Sequence, residues 1–105
     1  MAQLLQGGGI MKRSLKITVS GVVQKVGLRE HIQEAATRLK LEGTAENTED
    51  GKVLLFVAGE SERLDSLIDA IYEGTKRASI EDVEVESNTS PKNFRSVFRL
   101  IGDEN

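Results

Sequence analysis

The hydrophobic pattern of this chain changes twice from the period of a strand to the period of a helix, and this order restricts the fold more than any other feature. Leu15, Ile17 and Val19 alternate with polar residues, as in a half-buried strand. Beyond the loop at 22–27, apolar residues recur at helical spacing and predict a first amphipathic helix; they are Leu28, Ile32, Ala35, Ala36 and Leu39. We expect Gly43 to end this helix.

A hairpin is predicted in the middle of the chain. A short candidate strand at 44–48 and a nearly continuous apolar strand at 52–58 flank Asp50-Gly51. This dipeptide favours the positive φ angles of a tight turn, so the two strands are expected to pair with each other.

A second helix is predicted over the apolar stripe that ends at Tyr72. Ser61 is a suitable N-cap for this helix, and Gly74 is a suitable end. A fourth strand is predicted around 80–85, among acidic neighbours, and a last strand at 94–101.

The resulting order is strand, helix, strand, strand, helix, strand, with an additional C-terminal strand. Each strand–helix–strand unit requires a right-handed crossover, which places both helices on the same face of the sheet. The sequence therefore predicts an α+β fold of the ferredoxin-like, split βαβ type, with two helices on one face of a mainly antiparallel sheet. We expect this domain to span residues 14–102. Residues 1–13 are expected to be a flexible leader, of which residues 1–10 could instead be the remnant of an upstream start before Met11, and residues 103–105 are expected to be a tail.

The composition excludes several kinds of chemistry. The 105 residues amount to one domain, and the absence of cysteine rules out disulfides and thiolate sites. His31 is the only histidine, so a histidine metal centre or a serine–histidine nucleophile would depend on that residue, which we expect instead to be a surface or boundary histidine. The acidic residues at 81–86 are expected to form a solvated strand face rather than a metal site.

The composition also bears on partners and location. Three Phe, one Tyr, no Trp and a net charge of −3 argue against nucleic-acid binding. No stretch approaches the roughly 18 apolar residues of a membrane span, and no signal-peptide pattern is present. We therefore expect a cytoplasmic protein that binds neither membranes nor nucleic acids, and we expect it to be a monomer.

The loop from Gly21 to Arg29 is the segment best suited to chemistry. A loop that enters a helix presents unpaired backbone N–H groups, and the helix dipole adds positive potential, so such a loop can hold a phosphate-like anion. Arg29 can contact two phosphate oxygens at once. The glycine spacing fits neither a Walker motif nor a dinucleotide fingerprint. Because glycine-containing loops of this kind are common, the residues alone leave open a loop without any ligand.

Two blocks of the sequence resemble the acylphosphatase family. Residues 19–29 read VSGVVQKVGLR and resemble the family signature V-x-G-x-V-Q-G-V-x-F-R. Residues 43–53 read GTAENTEDGKV and resemble the second block, G-x-V-x-N-x-x-D-G-x-V. Further similarity at 36–43, 74–80 and 98–100 extends the resemblance over residues 15–101. The fold of the family is the ferredoxin-like arrangement predicted above from periodicity.

The resemblance implies hydrolysis of small acyl phosphates to a carboxylate and inorganic phosphate, without metal or cofactor. In the family, the arginine of the first block binds the phosphoryl group together with the loop amides, and the asparagine of the second block positions the attacking water. The corresponding residues here are Arg29 and Asn47. The phosphate-binding amides would be those of Gln24, Lys25, Val26, Gly27 and Leu28. An activated anhydride needs positioning and charge stabilisation more than a titrating acid or base, which suits this composition.

Several residues differ from those that are usual in the family. Lys25 replaces a glycine of the phosphate loop, which matters if the backbone requires a positive φ there. Leu28 replaces a phenylalanine and is expected only to repack the core. Thr75 replaces a proline and is expected to affect loop stiffness only. Glu46 is expected to face away from its neighbour Asn47, because adjacent strand residues point to opposite faces.

Two alternatives to an active enzyme follow. Because of Lys25, the chain could be a weak or inactive acylphosphatase-like module that binds anions or a protein. It could also be an RNA-binding ferredoxin-like domain, but the two central strands offer only Phe56 for stacking on bases.

Overall fold

The computed structural model describes residues 12–88 and 94–102, which form five strands and two helices. In chain order the elements are β1 (Lys12–Val22), α1 (Leu28–Arg38), β2 (Glu42–Asn47), β3 (Val53–Glu60), α2 (Ser61–Glu73), β4 (Ser79–Ser87) and β5 (Phe98–Ile101). The strands lie in the order β4-β1-β3-β2-β5, with β5 parallel to β2 and the other pairs antiparallel. The predicted fold class, with two helices packed on a mostly antiparallel sheet, is confirmed.

The strand register decides which residues form the core. Residues directly opposite each other on neighbouring strands share a face of the sheet. Ile17 of β1 and Ala45 of β2 both lie opposite Leu55 of β3, and all three are fully buried. The helices contribute a matching set of fully buried side chains, namely Leu28, Ile32, Leu67 and Ile71.

The end of α1 differs from the prediction. The helix ends at Arg38, and it is Lys40, with a φ of 59°, that takes the left-handed conformation expected of Gly43. The backbone N–H groups of Lys40 and Leu41 donate to carbonyls of the last helical turn, which is a Schellman motif. These bonds offset the cost of a left-handed lysine, whose side chain is exposed.

Gly43 instead allows two strands to approach each other. It lies inside β2 with a φ of 153°, and a Cβ built on it would come within 2.0 Å of the carbonyl oxygen of Phe56 on β3. A glycine is therefore required by strand packing and not by helix termination.

The start of α2 also differs from the prediction. Ser61 is the first helical residue and not the N-cap, because β3 continues directly into α2 and leaves Glu60 in the N-cap position. The side chain of Glu60 makes no cap hydrogen bond and forms an ion pair with Arg63 at 3.3 Å. Gly74 closes the helix as expected, with a φ of 64° and its N–H bonded to the carbonyl of Ala70.

Two predicted boundaries are changed at the ends of the sheet. β1 begins at Lys12, which pairs with Glu60, three residues before Leu15, where the predicted alternation begins. The last strand covers Phe98–Ile101 only. The remainder of the expected leader, residues 1–11, and the expected tail at 103–105 lie outside the described residues, as does most of the predicted turn at 88–91.

We expect Gly43→Ala to lower the free energy of unfolding by about 3 kcal/mol or more, because the new methyl group would meet a backbone carbonyl that cannot move without separating β2 from β3. Urea denaturation followed by circular dichroism measures the change. The control is Gly51→Ala, where φ is also positive, at 90°, but nothing lies within 4 Å of the new Cβ. It should cost only about 1 kcal/mol. Equal losses in the two variants would contradict the close approach at Gly43.

Candidate active site

The loop at 24–28, between β1 and α1, has the backbone geometry of an anion cradle, and we call it the cradle loop. Lys25 and Gly27 have positive φ angles, 62° and 78°, whereas the φ angles of Gln24, Val26 and Leu28 are not positive. Alternation of this kind turns successive N–H groups toward one side, and such concavities bind anions. The φ of 62° shows that the backbone does require a positive φ at residue 25, where the family has a glycine. The lysine adopts this φ with its side chain exposed.

The loop passes directly into the helix at Gly27, which is the N-cap of α1. The carbonyl of Gly27 accepts the N–H of His31 at 3.1 Å, so the peptide unit that follows Gly27 has helical orientation. The first N–H groups of α1, beginning at Leu28, therefore point out of the helix toward the loop, where the helix dipole favours negative charge. Leu28 itself is fully buried in the core, as expected for an apolar replacement.

The side chain of Gln24 fastens this loop to the β2–β3 hairpin. Its Nε2 donates to the carbonyl oxygens of Thr48 and Lys52, each at 2.8 Å. Both protons of the amide are therefore used within the protein, so any contact of Gln24 with an anion would come from its backbone N–H. The hydrogen bond to the Thr48 carbonyl also holds the loop against the residue that directly follows Asn47.

Arg29 is the most deeply buried charged residue in the described part of the chain, with 1% of its surface exposed. Its Nη1 donates to the carbonyl oxygen of Ile101 at 2.9 Å, and Ile101 is paired with Glu46 on β2. The guanidinium therefore lies at the end of β5 that adjoins the C-terminal end of β2. Electrostatic attraction between this buried cation and an anion would be stronger than in water, because the local dielectric is lower.

Asn47 is the last residue of β2 and lies on the face of the sheet that packs against the helices. It is paired with Val53, which is in turn paired with Val19, and both of these valines are fully buried. The Oδ1 atom of Asn47 is itself buried. Glu46 is paired with Leu54 and lies on the opposite face, as predicted. The register thus brings Asn47 to the same end of the sheet as Arg29 and the cradle loop.

The hairpin that carries Asn47 is stabilised by hydrogen bonds around Thr48. The N–H of Thr48 donates to the carbonyl of Lys52 at 2.9 Å, and the N–H of Lys52 donates to the Thr48 hydroxyl at 2.9 Å. The Thr48 hydroxyl also donates to Asp50, and this bond, aided by the Lys52 ammonium, lowers the pKa of the Asp50 carboxyl from its ordinary value. The predicted turn is therefore present, with only Gly51 in the positive-φ region.

Thr75 has a role that its sequence context did not indicate. Its hydroxyl donates to the carbonyl oxygen of Val26 at 2.8 Å, so the loop after α2 contacts the cradle directly. The sequence predicts that Thr75 affects loop stiffness only, and the structure adds this hydrogen bond to the cradle loop. No sequence signal could have revealed this contact, because it joins residues 49 positions apart whose meeting depends on the packing of two loops.

The other candidate residues from the sequence are His31 and the acidic residues at 81–86. His31 is half-buried and its Nε2 is 3.0 Å from the carbonyl oxygen of Ala70, so it connects α1 to α2. The acidic residues at 81–86 lie along the edge strand β4. Among the described residues, no group of three or more His, Asp or Glu side chains is arranged to hold a metal ion. No helix in residues 12–88 and 94–102 is long and apolar enough to cross a membrane.

The sequence of this chain is similar to those of known proteins. The sequence model of the family described as Acylphosphatase matches residues 15–100. An acylphosphatase of Oceanobacillus iheyensis is 39% identical over 74 residues, which cover 70% of this chain and 81% of the relative. An acylphosphatase of Salinibacter ruber is 36% identical over 89 residues, which cover 85% of this chain and 93% of the relative.

Solved structures of acylphosphatases are also similar to this chain. The crystal structure of the acylphosphatase from Bacillus subtilis is similar with a TM-score of 0.81 and 29% identity, over 88% of this chain and all of that one. The acylphosphatase of Coxiella burnetii has a TM-score of 0.78 and 31% identity, over 86% of this chain and 93% of that one. The chain belongs to the acylphosphatase family and is a hydrolase of that class.

The positive φ of Lys25 generates a prediction about stability. We expect Lys25→Gly to raise the free energy of unfolding by about 1 kcal/mol, because it removes the strain of a left-handed non-glycine residue. The control is Lys76→Gly, which changes another exposed loop lysine whose φ is not positive. It should lower stability by about 0.5–1 kcal/mol. Urea denaturation measures both, and destabilisation by Lys25→Gly would contradict the strained conformation.

Proposed function

We propose that this chain hydrolyses the carboxyl–phosphate anhydride of small acyl phosphates, with the phosphoryl group bound by the 24–29 loop and Arg29 and with water oriented by Asn47. The observation that carries the proposal is the convergence of three features at one end of the sheet: a loop of alternating φ angles, a buried guanidinium and the asparagine that ends β2. Because all three come from one chain, the proposed site needs no second copy, which supports action as a monomer.

Binding of the phosphoryl group would use fixed dipoles and one fixed charge. The N–H groups of residues 24–28 and the helix dipole favour an anion in the concavity of the loop. Arg29 can contact two oxygens of one phosphoryl group, and its bond to Ile101 holds the guanidinium before substrate arrives. Groups that are already oriented need little reorganisation as charge shifts in the transition state, so they stabilise it effectively.

Asn47 would orient the attacking water. Because the Oδ1 atom of Asn47 is buried, its Nδ2 group would do this by donating to the water oxygen and to a phosphoryl oxygen, and the amide does not titrate near neutral pH. In the reaction, a bond forms between phosphorus and the water oxygen, and the bond between phosphorus and the acyl oxygen breaks. A dianionic acyl phosphate and water give a carboxylate and dihydrogen phosphate, so both water protons are retained by the phosphate product. The carboxylate leaves readily, and positioning can therefore supply much of the acceleration.

Capture of an anionic substrate by an acidic protein requires local positive potential. The exposed side chains of Lys25, Lys76 and Arg77 belong to the cradle loop and to the loop that Thr75 bonds to it. These three cations supply such potential in a chain whose net charge is −3. Attraction of this kind is screened by salt, so the KM for an acyl phosphate should rise with ionic strength.

Hydrolysis of benzoyl phosphate, followed by the release of inorganic phosphate, tests the proposed roles. Asn47→Ala should lower kcat about 10²–10³-fold, while phosphate binding stays within about twofold of the wild type, because Asn47 acts on water. Arg29→Ala should abolish both turnover and phosphate binding. Because Arg29 is buried, Arg29→Lys is tested as well; it keeps the charge but lacks the planar fork, and it should also lose most activity.

Two matched controls lie on the other face of the sheet. Glu46→Gln changes the neighbour of Asn47, and Arg99→Ala removes an exposed arginine of β5. Both should hydrolyse benzoyl phosphate at the wild-type rate. Full activity in Asn47→Ala or in a folded Arg29→Ala variant would refute the assigned roles.

The left-handed lysine favours a second candidate, an acylphosphatase-like module that binds anions without turning them over. Heat stabilisation by phosphate without any hydrolysis would support this candidate against the enzyme. Recovery of turnover in Lys25→Gly would then identify Lys25 as the cause.

A further inference from the structure

The hydroxyl of Thr75 is held in place on two sides. It donates to the carbonyl oxygen of Val26 at 2.8 Å, and it accepts the backbone N–H of Ala78 at 3.2 Å. The Ala78 N–H also bonds the carbonyl of Thr75, so Thr75 and Ala78 form a closed turn after α2. A side chain fixed in this way can in turn fix the group to which it donates.

The group that Thr75 holds is the peptide unit between Val26 and Gly27, in the centre of the cradle. In a trans peptide, the carbonyl and the N–H point in opposite directions. A Val26 carbonyl directed at Thr75 therefore directs the Gly27 N–H away from Thr75. Without this bond, the peptide unit could turn over more easily, because Gly27 tolerates many conformations and nothing lies within 4 Å of the position of its missing Cβ. Rotation would point a carbonyl, instead of an N–H, toward a bound anion.

We propose that Thr75 is a positioning residue of the phosphate cradle, which keeps the Gly27 N–H directed at the phosphoryl group by binding the Val26 carbonyl. This inference rests on the proposed function of the loop and extends it to a residue outside the loop. The hydroxyl is a feature of this chain, since the family pattern has a proline at this position and proline has no side-chain donor.

The position of the strained residue explains why this chain benefits from such a bond. Lys25, with a φ of 62°, directly precedes Val26 and favours conformations other than the one observed. A hydrogen bond to the next carbonyl opposes any relaxation of the loop into those conformations. Thr75 thus stabilises the peptide unit that follows the left-handed lysine.

The test compares Thr75→Val, which keeps the shape but removes the hydroxyl, with Thr75→Ser, which keeps the hydroxyl. Titration of ¹⁵N-labelled protein with inorganic phosphate gives the affinity and follows the Gly27 amide signal directly. We expect Thr75→Val to bind phosphate about three- to tenfold more weakly, as for the loss of one hydrogen bond, and to show a smaller shift of the Gly27 signal. Thr75→Ser should stay within twofold of the wild type.

Steady-state kinetics distinguishes a positioning role of Thr75 from a role in stabilising the fold. Because the phosphoryl group is bound in both the ground state and the transition state, Thr75→Val should raise KM about three- to tenfold with kcat within about twofold. The control Thr37→Val makes the same change on an exposed residue in the last turn of α1, at the end of the helix remote from the cradle. It should change neither phosphate affinity nor KM.

Three outcomes would overturn the inference: unchanged phosphate affinity in Thr75→Val, equal weakening in Thr75→Ser, or a wild-type Gly27 signal that phosphate does not move. A variant that loses thermal stability but binds phosphate as the wild type does would show a purely structural role. If the wild type binds phosphate without hydrolysing benzoyl phosphate, the hydrolytic function fails, whereas the affinity comparison still decides the role of Thr75.

Discussion

The two hydrogen bonds from the Gln24 amide are the interaction on which the arrangement of this site depends. They join the loop that would bind phosphate to the hairpin that carries the asparagine, two segments separated by 24 or more positions in sequence. The pairing of Val19 with Val53 brings these two segments to the same end of the sheet. The Gln24 amide then joins the cradle loop directly to the hairpin that carries Asn47.

A second constraint comes from the burial of Arg29. A guanidinium removed from water is costly unless its N–H groups are satisfied, and the carbonyl of Ile101 at the last strand takes one of them. The short strand β5 therefore does more than extend the sheet, since the carbonyl of its last residue binds the guanidinium. Thr75 adds a contact from a third direction. The site is thus held by three segments that are distant in sequence: the β2–β3 hairpin, the α2–β4 loop and the C-terminal strand.

Much of this molecule could be predicted from its sequence, for identifiable reasons. The alternation of Leu15, Ile17 and Val19 and the helical stripe that begins at Leu28 depend on burial, which follows a simple period, and both were confirmed. The prediction that Glu46 and Asn47 lie on opposite faces of the sheet followed from strand geometry in the same way. Gly43 was misread because a glycine shortly after a helix usually ends it, whereas here the requirement comes from a carbonyl on a strand that is distant in sequence.

The contacts that hold the site together could not be predicted, because they depend on the conformations of loops. Neither Gln24 nor Thr75 carries any local sign that its side chain will bind a backbone carbonyl elsewhere, and the carbonyl of Ile101 lies 72 positions from the arginine it orients. The resemblance to a family predicts which residues act in the chemistry. The structure adds the hydrogen bonds that join the loop to the hairpin and Arg29 to the last strand.

The measurement that tests this account most directly is the kcat of Gln24→Leu on benzoyl phosphate. This substitution keeps the backbone N–H of residue 24 and a side chain of similar size but removes both bonds to the hairpin. If the amide holds Asn47 in position beside the cradle, kcat should fall at least tenfold in a folded variant, since small displacements of an orienting group have large effects on rate. An unchanged kcat would show that the cradle and the hairpin do not depend on Gln24 for their alignment.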